Sequence, residues 1–416
     1  MRSTLTIKEV KYYVISSLLI AIFGFSVIEL TTRVISWFSG TGFILSLHEL
    51  EPYDKPVESL YQWHPFTGFI WKPQVAFLGS HPNQETEAAI VVDKHGFLAP
   101  DDTLKYQKAD NEIRIATIGG STTANINLSF EENWPGYLGA LVQKELPEQK
   151  VRVINAGIPG FDTAQSIGNL ALRVMPFQPD LVIIYHAYND LKAVRKNVPF
   201  QPDYSHIHTT PYGYHKKPHF LIQWLDHSMF YVRLRNQYRD YLQEMQKIEE
   251  LKNERLGKSN RLNQIPQEAV ATFEQHLSSL VFIARASGAK VVLSSFATLN
   301  DPHLDYFNPE VFKPLSELQK QELYALMHFT PGLSVKAIFE GINLYNEVLQ
   351  KIAVQKQTGW VDNASGVPHE DEYFVDRVHF SKEGAAQMAE NFLPVVLEKL
   401  GHKKVNLDQD RFEDPK

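Results

Sequence analysis

The sequence predicts an α/β protein, a doubly wound parallel sheet attached to one N-terminal transmembrane helix. Three observations predict it. From about residue 111 onward, short apolar, β-branched segments alternate with amphipathic helical ones. The strand segments lead directly into glycine- and asparagine-bearing turns, where an open α/β sheet places its ligands. The 17 residues from Tyr12 to Ile28 carry no charge, close to the shortest run that crosses a bilayer as a helix.

Composition narrows the classes. The chain has 416 residues, 44% hydrophobic and 21% charged, which is globular and excludes wholesale disorder. A mean hydropathy of -0.26 excludes a polytopic membrane protein. Zero cysteines exclude a disulfide scaffold, a thiolate metal site and a cysteine nucleophile. A net charge of -7 offers no basic footprint, so no nucleic-acid partner is expected.

Residues 1–38 read as a cytoplasmic N-terminus and membrane anchor. The charge-free run centres on Val14 to Phe23 and continues in pattern to Trp37 and Phe38. Glu29 and Arg33 stand four apart and can pair near the interface. Arg2, Lys8 and Lys11 precede the run, whereas Arg33 is the only Lys or Arg after it before Lys55. That bias keeps the N-terminus in the cytoplasm and sends the rest outside, into periplasm or exterior. A cleaved signal peptide and a buried core helix are the alternatives. No clear A-x-A site follows the run, which favours a retained single-pass anchor.

Residues 39–110 form a connecting region of short strands and loops laid on the main domain, its aromatics (Tyr61, Trp63, Phe66, Phe69, Trp71) serving packing. A main domain spans 111–402. Strands are expected at Ile113–Ile118, Val151–Ile154, Asp180–Tyr185 and Ala289–Phe296. Helices are expected near Pro135–Leu146, Thr163–Val174, Gln267–Ala286, Val335–Val354 and Lys382–Leu400. The all-apolar 181–185 stretch fits a strand buried on both faces. An insertion at about 192–264 is proline-bearing first, then charged and helical from Tyr231 to Arg261. Its histidines His206, His208, His215 and His219 read as solvated loop residues, and His186 as a satisfied core histidine. Residues 403–416 are a polar tail.

Four stretches fall on strand ends. Gly119-Gly120-Ser121-Thr122-Thr123 is a tight turn that presents a hydroxyl and lacks the lysine of a phosphate loop. Asn155 to Asp162 contains Gly157 and Gly160, which let a backbone N–H approach a ligand. Tyr188-Asn189-Asp190 offers an amide donor. In Asp376-Arg377-Val378-His379, a carboxylate three residues before an imidazole can hold it as a general base. Each is modest alone. Together they follow the logic of a serine hydrolase.

These stretches resemble the four sequence blocks of the SGNH hydrolases, or GDSL esterases, over roughly Asn111 to Leu400 without the insertion. The resemblance implies a flavodoxin-like doubly wound sheet. It implies Ser121, His379 and Asp376 as the catalytic residues, and the Ser121 and Gly160 N–H groups with Asn189 as the oxyanion hole. The chain departs from the pattern at Gly120, where the family usually has Asp, and at Ala187, where it has Gly. The Gly-Gly-Ser-Thr-Thr turn looks more like the membrane-anchored bacterial members. No cofactor and no metal are expected. The expected activity is cleavage of acyl esters, acetyl foremost, on an extracytoplasmic carbohydrate. An O-acyltransferase on a cell-surface glycan and a non-catalytic glycan-binding protein are the alternatives.

Overall fold

The structure, a computed structural model, describes residues 6–40, 42–44, 60–81, 83–84, 87–208, 224–255 and 260–402. After α1 (Ile7–Phe38) come four short strands, β1 (Tyr61–His64), β2 (Gly68–Trp71), β3 (Ala76–Gly79) and β4 (Ala88–Val91). Then follow β5 (Glu112–Gly119), α2 (Ser121–Ala124), α3 (Trp134–Glu145), β6 (Lys150–Asn155), α4 (Thr163–Asn169) and β7 (Leu181–Tyr185). A 3₁₀ turn occupies Tyr188–Ala193, followed by α5 (Met229–Arg255), α6 (Gln267–Ala286) and β8 (Lys290–Ser294). The run closes with α7 (Pro309–Phe312), α8 (Glu317–Phe329), α9 (Val335–Gln355), β9 (Gly359–Val361), α10 (Asn363–Gly366) and α11 (Lys382–Lys399). The chain divides into two compact units, Met1–Ser59 with Gly213–Gln246, and Leu60–Tyr212 with Lys247–Lys416.

In the first unit α1 starts at a capping box. Thr6 N–H donates to Glu9 Oε2 at 2.7 Å, and Glu9 N–H donates back to Thr6 Oγ1. The segment Lys8–Phe38 is long and apolar enough to cross a membrane, with Leu19, Ile20 and Phe23 exposed. The hydroxyls of Ser26, Thr31 and Thr32 each donate to the carbonyl four residues back, which satisfies them within the helix. Glu29 and Arg33 pair at 2.7 Å. The Glu29 carboxylate also accepts from Ser228 Oγ at 2.7 Å, Met229 N–H at 2.9 Å and Phe230 N–H at 3.0 Å. It caps the first turn of α5, where unpaired donors and the helix dipole favour a negative charge.

In the second unit β1 pairs with β2 and β3 with β4, both antiparallel. Trp71 is fully buried and stacks between Tyr61 and Phe77. Trp63 and Phe66 are exposed instead. The main sheet is parallel throughout, in the order β6-β5-β7-β8-β9. In order of appearance those strands run 2-1-3-4-5, the flavodoxin-like arrangement with its switch point between β5 and β7. All five residues of β7 are buried. The register sets Gly119 of β5 opposite Tyr185 of β7, and Thr117 opposite Asn155 of β6. The carboxyl ends of three strands therefore meet at one place.

Several expectations shift in detail. The helix expected over Thr163–Val174 is α-helical only to Asn169 and then widens into a π turn over Leu170–Val174. There Asn169 Nδ2 donates to Ala156 O, and Arg173 donates to Asn169 Oδ1. Strand β9 and helix α8 lie outside the sequence reading, the strand because its three residues show no period. The loop histidines are not simply solvated. His206 Nε2 meets Ala193 O at 2.7 Å, and His208 Nε2 meets Asp162 Oδ2 at 2.7 Å. His215 and His219 lie outside the described residues.

Candidate active site

Ser121 is the first residue of α2, directly after β5 and the Gly119-Gly120 pair. Three hydrogen bonds fix this turn. Asn155 Nδ2 donates to Thr123 O at 3.2 Å, Trp134 Nε1 donates to Thr122 O at 3.0 Å, and Ile158 N–H donates to Gly119 O at 3.2 Å. Trp134 in turn stacks on Phe392 of α11, the helix that follows the histidine block.

Gly120 explains its own identity. A Cβ there would lie 2.4 Å from Asn189 Nδ2 and 3.2 Å from Phe161 O. Any side chain would displace the amide from its hydrogen bond to Phe161 O, made at 2.8 Å. The glycine thus brings the serine turn against the asparagine of the third block. An amide nitrogen carries two protons, and the bond to Phe161 O occupies one.

Gly160 has φ +83, a conformation that L side chains rarely adopt, and it is exposed. Neither its N–H nor that of Ser121 donates to another backbone group among the described residues. Both remain available to a ligand, the first because of the turn, the second because a helix's first N–H groups lack intrahelical acceptors.

His379 is held firmly. Its Nδ1 lies 2.7 Å from Asp376 Oδ2. Asp376 Oδ1 accepts the Val378 and His379 backbone N–H groups at 2.9 and 2.7 Å. Burial pushes the Asp376 carboxyl up. The His379 charge, the His379 hydrogen bond and the one from His81 outweigh it and hold the group well below the usual carboxylate range. An ionised Asp376 only accepts, so His379 Nδ1 must donate, and in the neutral imidazole Nε2 keeps its lone pair. No hydrogen bond joins Ser121 Oγ to His379 in this structure, and catalytic hydrogen bonds commonly tighten only in the substrate complex. The two segments are tied through Asn127, whose Nδ2 donates to Phe380 O at 3.0 Å.

His81 escaped the sequence reading. It lies between β3 and β4, and its Nε2 reaches Asp376 Oδ2 at 3.2 Å. Its Nδ1 accepts Asn83 N–H, which leaves Nε2 as the donor. Asn83 Nδ2 donates to Val375 O at 2.7 Å. A single histidine in a polar loop gave no signal, because its partner stands 295 positions away. Ligand atoms of His81, Asp376 and His379 lie within 4.8 Å of one another, a grouping that could hold a metal. A metal there would take the carboxylate oxygen that orients His379.

Behind Asn189 lies a buried polar network. Asp190 Oδ1 accepts Thr163 N–H at 3.1 Å and the Thr163 hydroxyl. Burial, then the Asp162 charge, raise the Asp190 carboxyl above its ordinary value. Thr163 Oγ1 also meets His276 Nδ1 at 2.9 Å. His186 is buried with Nε2 2.8 Å from Ser166 Oγ, and burial lowers its pKa to about 4, so it is neutral core.

Residues 117–387 match the model of the GDSL-like lipase/acylhydrolase family. A search of curated proteins finds no match. Among solved structures, an acetyl xylan esterase variant from Geobacillus stearothermophilus is 15% identical, with 73% of this chain and 100% of that chain covered at a TM-score of 0.38. A GDSL-like lipase from Bacteroides thetaiotaomicron is 14% identical, covering 70% and 91% at 0.37. A putative acylhydrolase from Bacteroides fragilis is 17% identical, covering 72% and 92% at 0.36.

Proposed function

The chain belongs to the GDSL-like lipase/acylhydrolase family and is a hydrolase of ester bonds; from that premise we propose that it is a serine esterase removing acetyl groups from an extracytoplasmic carbohydrate. The observation that carries the mechanism is the Asp376–His379 pair, which leaves His379 Nε2 as an acceptor. In this reading Ser121 Oγ attacks the ester carbonyl and His379 Nε2 takes its proton. Asp376 steadies the imidazolium through Nδ1. The Ser121 and Gly160 N–H groups and the second Asn189 N–H hold the negative oxygen of the tetrahedral intermediate. His379 returns the proton to the departing alcohol, and an acyl-enzyme on Ser121 remains. A water then gives up its proton to His379 and attacks the acyl carbon; as the acyl–Oγ bond breaks, His379 returns that proton to Ser121 Oγ and the carboxylic acid is released.

The location follows from charge. Arg2, Lys8 and Lys11 precede the charge-free run Tyr12–Ile28, and Arg33 follows it, so the helix is read as an anchor with the enzyme on the outer side. An outward-facing anchored esterase meets surface polysaccharide first, which favours a small acyl group on sugar over a lipid. The test is acetate release from O-acetylated polysaccharide by the full chain in detergent, with Ser121→Ala as control. Acetate released by the wild type and absent from the variant supports the reading. Consumption of an acyl donor only when a glycan acceptor is present would turn it to acyl transfer.

A further inference from the structure

The 3₁₀ turn that carries Asn189 ends in a cation that the proposed mechanism does not use. Lys192 stands three residues after Asn189, about 6 Å along such a turn. Its Nζ lies 4.4 Å from the centroid of the Phe329 ring at the end of α8. Among the described residues no carboxylate lies within ion-pair distance of it. Arg377, between Asp376 and His379, places its guanidinium carbon 4.4 Å from the same ring.

The two cations differ. Arg377 donates from Nη1 to Glu322 Oε2 at 2.9 Å and from Nε to Tyr188 OH at 3.0 Å, so its position and charge are both satisfied. Lys192 has the ring as its close contact, with the Asp162 and Asp190 carboxyls acting on it only from longer range. Phe329 is 42% exposed, so the pair of cations meets a ring open to solvent. Arg195 adds a third positive charge nearby and spends its Nε on Lys192 O at 3.0 Å. Carboxylates stand in the same neighbourhood: Glu322 is paired to Arg377, and Asp162 and Asp190 act on Lys192 from beyond ion-pair distance. Burial and the two guanidinium groups disfavour the ammonium, and a ligand anion brought into direct contact with it would stabilise it. The cluster sits between the block that holds Asn189 and the block that holds His379, the two segments that flank a bound ester in the proposed mechanism.

We propose that Lys192, seated on Phe329 beside Arg377, is an anion subsite that selects ester substrates bearing a carboxylate close to the scissile bond. The carboxylate could be carried by the acylated sugar or by the tail of the acyl group, and both present the same chemistry to Lys192. The inference rests on the esterase reading for its position beside the ester, but its binding step can be read without turnover.

The experiment uses the full chain near neutral pH, as wild type, Lys192→Met and Lys192→Arg. Values of kcat/KM are compared for O-acetylated methyl glucuronoside against O-acetylated methyl glucoside, and for p-nitrophenyl hydrogen succinate against p-nitrophenyl acetate. The charged member of one pair should be preferred about tenfold, or ~1.4 kcal/mol. The responding pair tells whether the carboxylate belongs to the sugar or to the acyl chain. Lys192→Met should bring that ratio to about one, and Lys192→Arg should keep it. Ratios of one for both pairs in the wild type, or an undiminished ratio in Lys192→Met, overturn the subsite. In parallel, Ser121→Ala protein with and without Lys192→Met is titrated with methyl glucuronoside, methyl glucoside, succinate monomethyl ester and methyl butyrate by NMR. If no ester is cleaved, the esterase reading fails, and loss of the charged ligand's advantage in the double variant still supports the subsite. Equal binding of charged and neutral ligands overturns it.

Discussion

His81 Nε2 lies 3.2 Å from Asp376 Oδ2, on the same carboxylate oxygen that His379 Nδ1 reaches at 2.7 Å. A residue of the connecting region thereby touches the histidine block and helps fix the acceptor that orients His379. A charge-assisted hydrogen bond of this kind contributes about 1.5–3 kcal/mol. His81→Ala is expected to lower kcat about tenfold or more on p-nitrophenyl acetate and to leave KM near the wild-type value. His81→Gln, which keeps an N–H donor, should recover part of the loss. A change confined to KM would place His81 in substrate contact instead.

Gly120 leads to a second prediction. The family's usual aspartate there would drive its Cβ into Asn189 Nδ2, 2.4 Å away. Gly120→Asp should therefore lower kcat by roughly 10²–10³, the effect of losing one oxyanion donor, with the fold retained by circular dichroism. Unchanged turnover would show that the asparagine has another place to go.

Much of this was legible in the chain. The β-branched runs and the residues that end them gave four of the five sheet strands and the order of the chemistry-bearing turns, because strand and turn signals are local. The Asp376–His379 contact was legible because three residues separate the partners. His81 was not, since a contact over so long a separation leaves no pattern. Nor was β9, whose three residues are placed by pairing with β8. In the sequence Gly120 is only a departure from the family's usual Asp. It becomes intelligible only beside Asn189, where there is no room for a Cβ.

Acid stability should report on Asp376. Its folded pKa lies well below the ordinary carboxylate value, through the His379 charge and hydrogen bonds that outweigh burial. The stability this contributes is fully present above the unfolded value of about 3.9 and is lost as pH falls through the lower folded value. Urea unfolding of wild type and Asp376→Asn should therefore show a gap that is constant near neutrality and narrows below about pH 4. A gap that widens there would contradict the assignment.

Lys192 should impose a basic limit on the charged-substrate preference. Burial first, then Arg377, lower its pKa to about 8, with Arg195 acting in the same sense and Asp162 and Asp190 opposing. Lys192 is cationic below that value and neutral above it. The preference for a carboxylate-bearing ester should fade as pH rises through about 8 and should persist to higher pH in Lys192→Arg. Profiles of kcat/KM for matched charged and neutral esters check this.

Glu29 should hold the first turn of α5. Its carboxylate accepts from Ser228 Oγ and from the Met229 and Phe230 N–H groups. Loss of a helix cap costs about 0.5–2 kcal/mol. Glu29→Ala in detergent should speed amide exchange at Met229 and Phe230, whereas amides of β7 should exchange as in the wild type. Equal protection in both proteins would remove the cap from the account.

The central claim is that Ser121 is the nucleophile and His379 its base. Labelling the full chain with a fluorophosphonate and locating the adduct by mass spectrometry tests it most directly. The predicted result is one phosphonylated serine, Ser121, with the adduct lost in Ser121→Ala and formed far more slowly in His379→Ala. An adduct on a different serine, or none on a folded protein, would contradict it.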